Sequence, residues 1–209
     1  MISIGSTAEA ESGEPLIGCA DSPSESLLCS HAEMRDSAED EVMESVAVSF
    51  DCERPEGLPP EAPCHGVVIT VDTTRNILRL FRDGELVREA LAATGSNQWL
   101  VKGSRKWLFR TPHGRMPVLD KKVNPVWVKP DWAFVEAGKP VPPGDSPSRK
   151  EAGVLGRYAL DLGEGIMIHG TKELDSLGKN ASHGCIRLGD EMLELVFNTA
   201  SIGTPVYVF

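Results

Sequence analysis

Nowhere in this chain do roughly eighteen apolar residues follow one another, the minimum for a helix that crosses a bilayer. The first thirty residues carry neither a basic start nor an apolar stretch, so the sequence reads as a chain with no transmembrane helix and no signal peptide. Aromatic residues make up only 6%, and before residue 63 the single one is Phe50. A segment so poor in large side chains buries too little apolar area to offset its ordering entropy. Residues 1–64 are therefore expected to be an acidic, largely disordered segment ending in a linker. Positive charge is missing from the same stretch: fifteen Asp/Glu stand against two Lys/Arg, a net of −13, whereas residues 65–209 hold sixteen against nineteen, a net of +3. So mild a basic balance argues against nucleic acid as a partner and leaves room for an anionic substrate.

Cysteine is scarce and unevenly placed. Cys19, Cys29, Cys52 and Cys64 lie in the acidic part, where they can pair in three ways given an oxidising compartment. Cys185 stands alone in the rest of the chain and is the thiol to watch. The run Leu16-Ile17-Gly18-Cys19 has the outward form of a lipid-attachment site, but Glu11, Glu14 and Pro15 occupy the place of the apolar helix such a site needs.

Within the acidic part, Ser37–Phe50 is the one candidate helix, capped by Ser37 and acidic in its first turn. The cluster RPEGLPPEAP (54–63) reads as linker. From Gly66 the texture becomes short β segments: Val67–Val71, Ile77–Phe81 and Glu85–Ala93, with Asp83-Gly84 as a hairpin turn between the last two. Residues 95–110 are too irregular to assign. A turn at Thr111–Gly114 leads into a short strand, Arg115–Leu119, and the prolines of Lys139–Pro147 demand a loop. Tyr158–Leu162 and Ile166–His169 return to strand, with Met167 and His169 on one face and Ile166 and Ile168 on the other. The clearest helix starts at Asp190 as N-cap, runs through EMLELVFNTA and stops near Gly203; Pro205–Phe209 closes the chain as a strand.

Chemistry concentrates between Gly165 and Leu188, GIMIHGTKELDSLGKNASHGCIRL. A cysteine nucleophile needs a base, a group that orients the base and backbone donors for the oxyanion. His183 and His169 compete for the role of base. His183 is two residues from Cys185, too near to meet the sulfur at a good angle, whereas the sixteen-residue excursion from His169 can return the chain beside it, which favours His169. Gly184, without a Cβ, lets its own amide and that of Cys185 approach a substrate carbonyl. Arg187 offers a planar fork for a carboxylate, unless it is an ordinary ion-pair partner. Trp127 and Trp132 either anchor loops or line a groove. A zinc site built from His169, His183 and Cys185 is weakly supported, since no paired-cysteine or His-Glu-x-x-His spacing occurs.

The run His169-Gly170-Thr171, followed by Ser182-His183-Gly184-Cys185-Ile186-Arg187, resembles the signature of the L,D-transpeptidase family, bacterial enzymes that cross-link or trim peptidoglycan. Thr111-Pro112, Asn124-Pro125-x-Trp127, Val141-Pro142-Pro143-Gly144, Leu155-Gly156-x-Tyr158 and Gly203-Thr204-Pro205-Val206 extend the likeness over residues 65–209. The resemblance implies a mainly β domain, a sandwich of mixed sheets with one or two short helices. It implies Cys185 as nucleophile, His169 as base, the Gly170 carbonyl as its orienter, His183 in support, Gly184 as oxyanion amide, and substrate contacts at Arg187, Ser182, Trp127 and Tyr158. Peptidoglycan stem peptides are the implied partner, with attack between the diamino acid and the terminal D-alanine and transfer to an acceptor amine. No cofactor or metal is implied. A periplasmic or cell-envelope location and acylation by carbapenems follow from the same likeness. An L,D-carboxypeptidase, with water as acceptor, and a silent cell-wall binding module stay open beside it. Residues 95–110 depart from the family's layout in length and in their aromatic and basic content.

Overall fold

The computed structural model describes residues 54–209. The expected helix over Ser37–Phe50, the lipid-attachment reading at Cys19 and the pairing of Cys19, Cys29 and Cys52 lie outside the described residues. Strands β1 (Val67–Asp72), β2 (Ile77–Arg82) and β3 (Glu85–Leu91) form the expected meander. Asp83 and Gly84 both take positive φ, 51° and 81°, which is what the tight turn between twisted strands demands. After β4 (Thr94–Gly95), the stretch the sequence left unassigned is a second hairpin, β5 (Trp99–Lys102) and β6 (Arg105–Leu108). Its alternation was hidden because lysine, arginine and tryptophan share both faces.

The chain continues through β7 (Gly114–Pro117), β8 (Asp120–Val123), β9 (Val126–Val128), helix α1 (Asp131–Glu136) and β10 (Lys150–Ala152). Next come β11 (Tyr158–Gly163), β12 (Ile166–Gly170), β13 (Asn180–Ser182) and β14 (Ile186–Leu188). Helix α2 (Asp190–Thr199) and β15 (Pro205–Val208) complete the described chain. A five-stranded sheet has the order β3-β2-β1-β15-β7 and a four-stranded sheet the order β14-β12-β11-β8. Both are mixed, because β15 runs parallel to β1 and β14 runs parallel to β12.

Alternation along the strands sends one face of each sheet into a shared core. Ile69, Val71, Leu78, Leu80 and Val206 from the larger sheet meet Leu160, Ile168, Ile186 and Leu188 from the smaller one. Helix α2 adds Met192, Leu193 and Val196 to this core, with Leu195 half-buried. Its N-cap is Gly189 rather than Asp190, and no side chain caps it. Asp190 and Glu191 instead occupy the first turn, where the helix dipole favours negative charge. The helix also ends at Ala200, short of Gly203. The proline-rich stretch is loop, and the buried Arg149 ties it down by donating to the carbonyls of Lys129, Pro142 and Pro143 and to the Asp131 carboxylate. That places α1, which carries Trp132 and Glu136.

The stretch 54–63, expected to be a linker, folds back as a cover. Leu58 and Ala62 pack on Val68, Phe81 and Tyr207, on the outer face of the five-stranded sheet. Arg54 donates to the Pro59 and Ala62 carbonyls, and the Tyr207 hydroxyl donates to that of Glu61. Proline and glycine in this stretch shape turns that return the chain to the sheet. With Leu58 only 6% exposed, Leu58→Ala is expected to lower unfolding free energy by about 2 kcal/mol or more. Denaturant titration checks this, since truncation in a free linker stays within about 0.5 kcal/mol.

Candidate active site

Parallel pairing of β12 and β14 sets Ile168 opposite Ile186 and His169 opposite Arg187. The isoleucines face the core, so His169 and Arg187 share the other face. Cys185 immediately precedes β14 and lies beside Met167 on that same face. A parallel pair needs a crossover of a dozen or more residues, and here residues 171–185 supply it. The sixteen-residue separation of His169 from Cys185 is thus a consequence of topology.

His169 is buried, and its Nδ1 lies 2.7 Å from the Gly170 carbonyl oxygen. The carbonyl can only accept, so Nδ1 carries the proton and Nε2 is left with a lone pair. Burial holds the imidazole pKa down to about 4, with the Gly170 carbonyl acting upward and the Arg187 charge downward. Gly170 is held in turn: its N–H donates to the Leu155 carbonyl at 2.8 Å. A Cβ on Gly156 would stand 2.9 Å from the Gly170 Cα, and Gly156 itself has φ +74°. The glycine of Leu155-Gly156 is therefore a close-approach residue behind the histidine.

Cys185 is a free, half-buried thiol, whereas Cys64 is disulfide-bonded. Its sulfur donates to the Gly165 carbonyl at 3.5 Å, and no hydrogen bond joins it to His169. Burial pushes the thiol pKa up; the Met167 backbone N–H and the Arg187 charge act downward, and Asp161 acts upward. The turn before it is internally bonded. Ser182 Oγ donates to the Cys185 carbonyl at 2.5 Å and accepts the Gly184 N–H at 3.1 Å. Ser182, expected at the substrate, lines the cavity described below but is buried, with its hydroxyl bonded inside the turn. The Gly184 amide, expected to face an oxyanion, is engaged by that same hydroxyl. Gly184 has φ +128°, and its carbonyl accepts from the buried Thr111 hydroxyl at 2.8 Å. Thr111 Oγ1 also accepts the Gly95 N–H, so β4 and the turn before Cys185 are braced through one hydroxyl.

His183 faces a different set of partners. Its Nε2 lies 2.9 Å from Glu136 Oε2, its ring stacks on Trp132 at 4.1 Å and meets the Phe109 ring edge-on at 4.4 Å. Arg187 pairs with Glu173 Oε2 at 2.9 Å. A cavity of about 900 Å³ is lined by His169, Cys185, Arg187, His183, Trp127 and Trp132, among others. Tyr158 is not brought to it. Strand alternation puts Tyr158 on the face opposite Ala159, where it stacks on Phe197 of α2 at 4.3 Å. The two histidines and the cysteine do not converge on one point, and among the described residues no three His, Cys, Asp or Glu side chains form a group able to hold a metal ion. Sequence reasoning passed over Glu136, Phe109 and the bracing role of Thr111. Only Thr111, in its Thr-Pro turn, carried a local signal.

A neutral His169 must lose stability in acid. The unfolded chain protonates at its ordinary value of 6.5, the fold only near 4. The contribution is whole above the ordinary value and is lost as pH falls through the window to 4, amounting to on the order of 3 kcal/mol. Denaturant titrations across this window should show a steeper decline for the wild type than for His169→Gln; equal slopes would contradict a buried neutral imidazole.

The L,D-transpeptidase catalytic domain model, YkuD, matches residues 66–208. A probable L,D-transpeptidase of Escherichia coli strain K12, YbiS, is 36% identical over 94 residues, covering 41% of this chain and 28% of that protein. A putative L,D-transpeptidase of Fuscovulum blasticum is 33% identical over 108 residues, covering 47% of this chain and 50% of that protein. The chain therefore spans half or less of these two relatives. Among solved structures, the L,D-transpeptidase of Xylanimonas cellulosilytica superposes with a TM-score of 0.53 at 21% identity, covering 72% of this chain and 63% of that one, and supports the fold. With a family match over nearly all the described residues, this chain belongs to the L,D-transpeptidase catalytic domain family.

Proposed function

We propose that the chain is a cysteine-dependent L,D-transpeptidase acting on peptidoglycan stem peptides. The observation that carries this reading is the His169 imidazole, its Nδ1 fixed on the Gly170 carbonyl at 2.7 Å, set on the strand beside the free thiol of Cys185. In the proposed reaction the thiol turns from the Gly165 carbonyl to His169, and Nε2 takes its proton. Sulfur then forms a bond to the carbonyl carbon of the diamino acid. The carbonyl oxygen becomes negative and accepts the Cys185 N–H; the Gly184 N–H joins it only by leaving Ser182. The imidazolium returns its proton to the departing D-alanine nitrogen as the peptide bond breaks. An acceptor amine attacks the thioester next, His169 takes the amine's proton, and that proton passes to the leaving sulfur.

The pKa directions support proton transfer during attack rather than a standing thiolate–imidazolium pair. Burial raises the thiol and lowers the imidazole, so both rest neutral. Glu136 and Trp132 hold His183, which fits a role in fixing the nucleophile turn. Trp127 lines the groove for the stem peptide and Arg187 offers its charge to a substrate carboxylate. The catalytic domain is taken as residues 65–209, and the cell envelope as its place of work, because that is where the substrate lies.

Incubation with a tetrapeptide muropeptide tests the reading: cross-linked dimers mean transfer, tripeptide alone means hydrolysis. Cys185→Ala should abolish both products, and a carbapenem mass adduct on the wild type should vanish in Cys185→Ser. His169→Gln should lower kcat by roughly a hundredfold or more, the usual worth of a general base. Products persisting in Cys185→Ala would sink the mechanism, and an intact protein that takes no adduct and makes no product would stand instead as a binding module.

A further inference from the structure

Residues 92–96 touch the chain on both sides of Cys185. Past the cysteine, Arg187 and Ala93 exchange both backbone hydrogen bonds at 2.9 Å. Before it, β4 pairs with β13, the Thr94 N–H donating to the Lys179 carbonyl at 3.2 Å and the Ser96 N–H to the Ser182 carbonyl at 2.8 Å. The place of the sulfur is therefore set against this one short segment. The segment is held in turn by the loop between β1 and β2. There Asp72 Oδ1 accepts the N–H groups of Thr74 and Arg75 and the Thr74 hydroxyl, which shapes a tight turn. The turn ends on buried Asn76, whose φ of 55° asparagine tolerates better than most residues do. Its carbonyl accepts the Ala92 N–H at 2.8 Å. Its side chain reaches further. The Gly95 carbonyl can only accept, so the Asn180 amide nitrogen faces it at 3.3 Å and the Asn180 oxygen is left to take Asn76 Nδ2 at 2.7 Å. Asn76 Oδ1 then accepts the hydroxyl of fully buried Thr94 at 2.6 Å. One amide thus bonds to both strands of the β4–β13 pair, at the register position where Asn180 stands opposite Thr94. Asn76, Thr94 and Asn180 do not line the cavity.

We propose that Asn76 is a positioning residue for the reaction at Cys185, acting through Thr94 and Asn180. The inference rests on the reading above, in which Cys185 attacks the substrate. Strand β4 is only two residues long and its pairing with β13 is irregular, so backbone bonds alone hold it weakly. The Asn76 amide fixes the pair, because any slide of one strand on the other leaves the Thr94 hydroxyl or an amide without a partner. A shift of residues 92–96 would carry Ser182 and Arg187 with it, and Cys185 between them. Displacing a reacting atom by about 1 Å can cost on the order of a hundredfold in rate. Trp127, by contrast, belongs to the separate β9–β10 pair, so substrate contacts there are spared and the cost falls on kcat.

The test sets Asn76→Gly, which keeps the left-handed turn and removes the amide, beside Thr94→Val, Thr94→Ser and Asn180→Ala. For each full-length variant, kcat and KM with a tetrapeptide muropeptide are referred to the folded fraction, and the rate of carbapenem adduct formation on Cys185 is measured alongside. Asn76→Gly and Thr94→Val should lower kcat and the adduct rate together by about tenfold or more, with KM within about threefold of the wild type. Asn180→Ala, a change at an exposed residue, should act in the same direction by less. Thr94→Ser, which keeps the hydroxyl, should retain most of the wild-type rate. A residue that serves the fold alone would lower unfolding free energy and leave kcat per folded molecule unchanged. That result in Asn76→Gly, or in Asn180→Ala where Asn76→Gly does not fold, overturns the proposal, as does a loss carried by KM with kcat intact. Failure of the acyl-enzyme reading is distinct, since the wild type itself would then give neither product nor adduct.

Discussion

The parallel ladder between β12 and β14 is the constraint on which the site depends. It sets His169 beside Arg187 and brings Cys185 to the same sheet face, while Ile168 and Ile186 on the reverse side bury themselves in the core. A register shift of one residue would exchange these sets, turning isoleucines into the cavity and the histidine into the core. Core packing and active-site geometry are therefore enforced by one alternation. The crossover needed to make two strands parallel also delivers β13, whose pairing with β4 carries the chain into the turn before Cys185.

That turn is held by polar groups with no solvent to fall back on. Ser182 and Thr111 are both buried, and each hydroxyl both donates and accepts a hydrogen bond there. Buried hydroxyls so satisfied fix a geometry, because any rearrangement leaves one of them unpaired. Gly95 makes the arrangement possible, since a Cβ there would stand 2.5 Å from the Thr111 nitrogen. The serine of Ser-His-Gly-Cys is thereby explained as a brace.

Much of this was legible in the sequence, for identifiable reasons. Period-two alternation marked the first strand and the faces of Ile166–His169, a short apolar run marked the second strand, and Asp83-Gly84 marked the hairpin into the third. The His169 and Cys185 pairing was legible because sixteen residues suit a crossover and two do not. Other features depended on partners distant in sequence. Leu58 resembled linker because proline and glycine surround it, and its burial is set by Phe81 and Tyr207. Tyr158 resembled a site residue by its place in a motif, but the strand face it occupies looks at α2. The partner of His183 is Glu136, 47 residues away at the end of a six-residue helix, and nothing local marks it.

The electrostatics of the sheet face join reactivity to recognition. The sulfur feels Arg187 from one side and Asp161 from the other, with opposite effects on the thiolate. On the proposed mechanism a resting thiol is an advantage, since a standing thiolate would be open to oxidation and stray acylation. Arg187 is paired with the exposed Glu173, and Asp161 with Lys122, so each charge near the sulfur is already partly balanced. A substrate that engages either pair redistributes that balance. Asp161 and Cys185 stand in one row of the sheet face, so the charge balance of the first bears on the ionisation of the second.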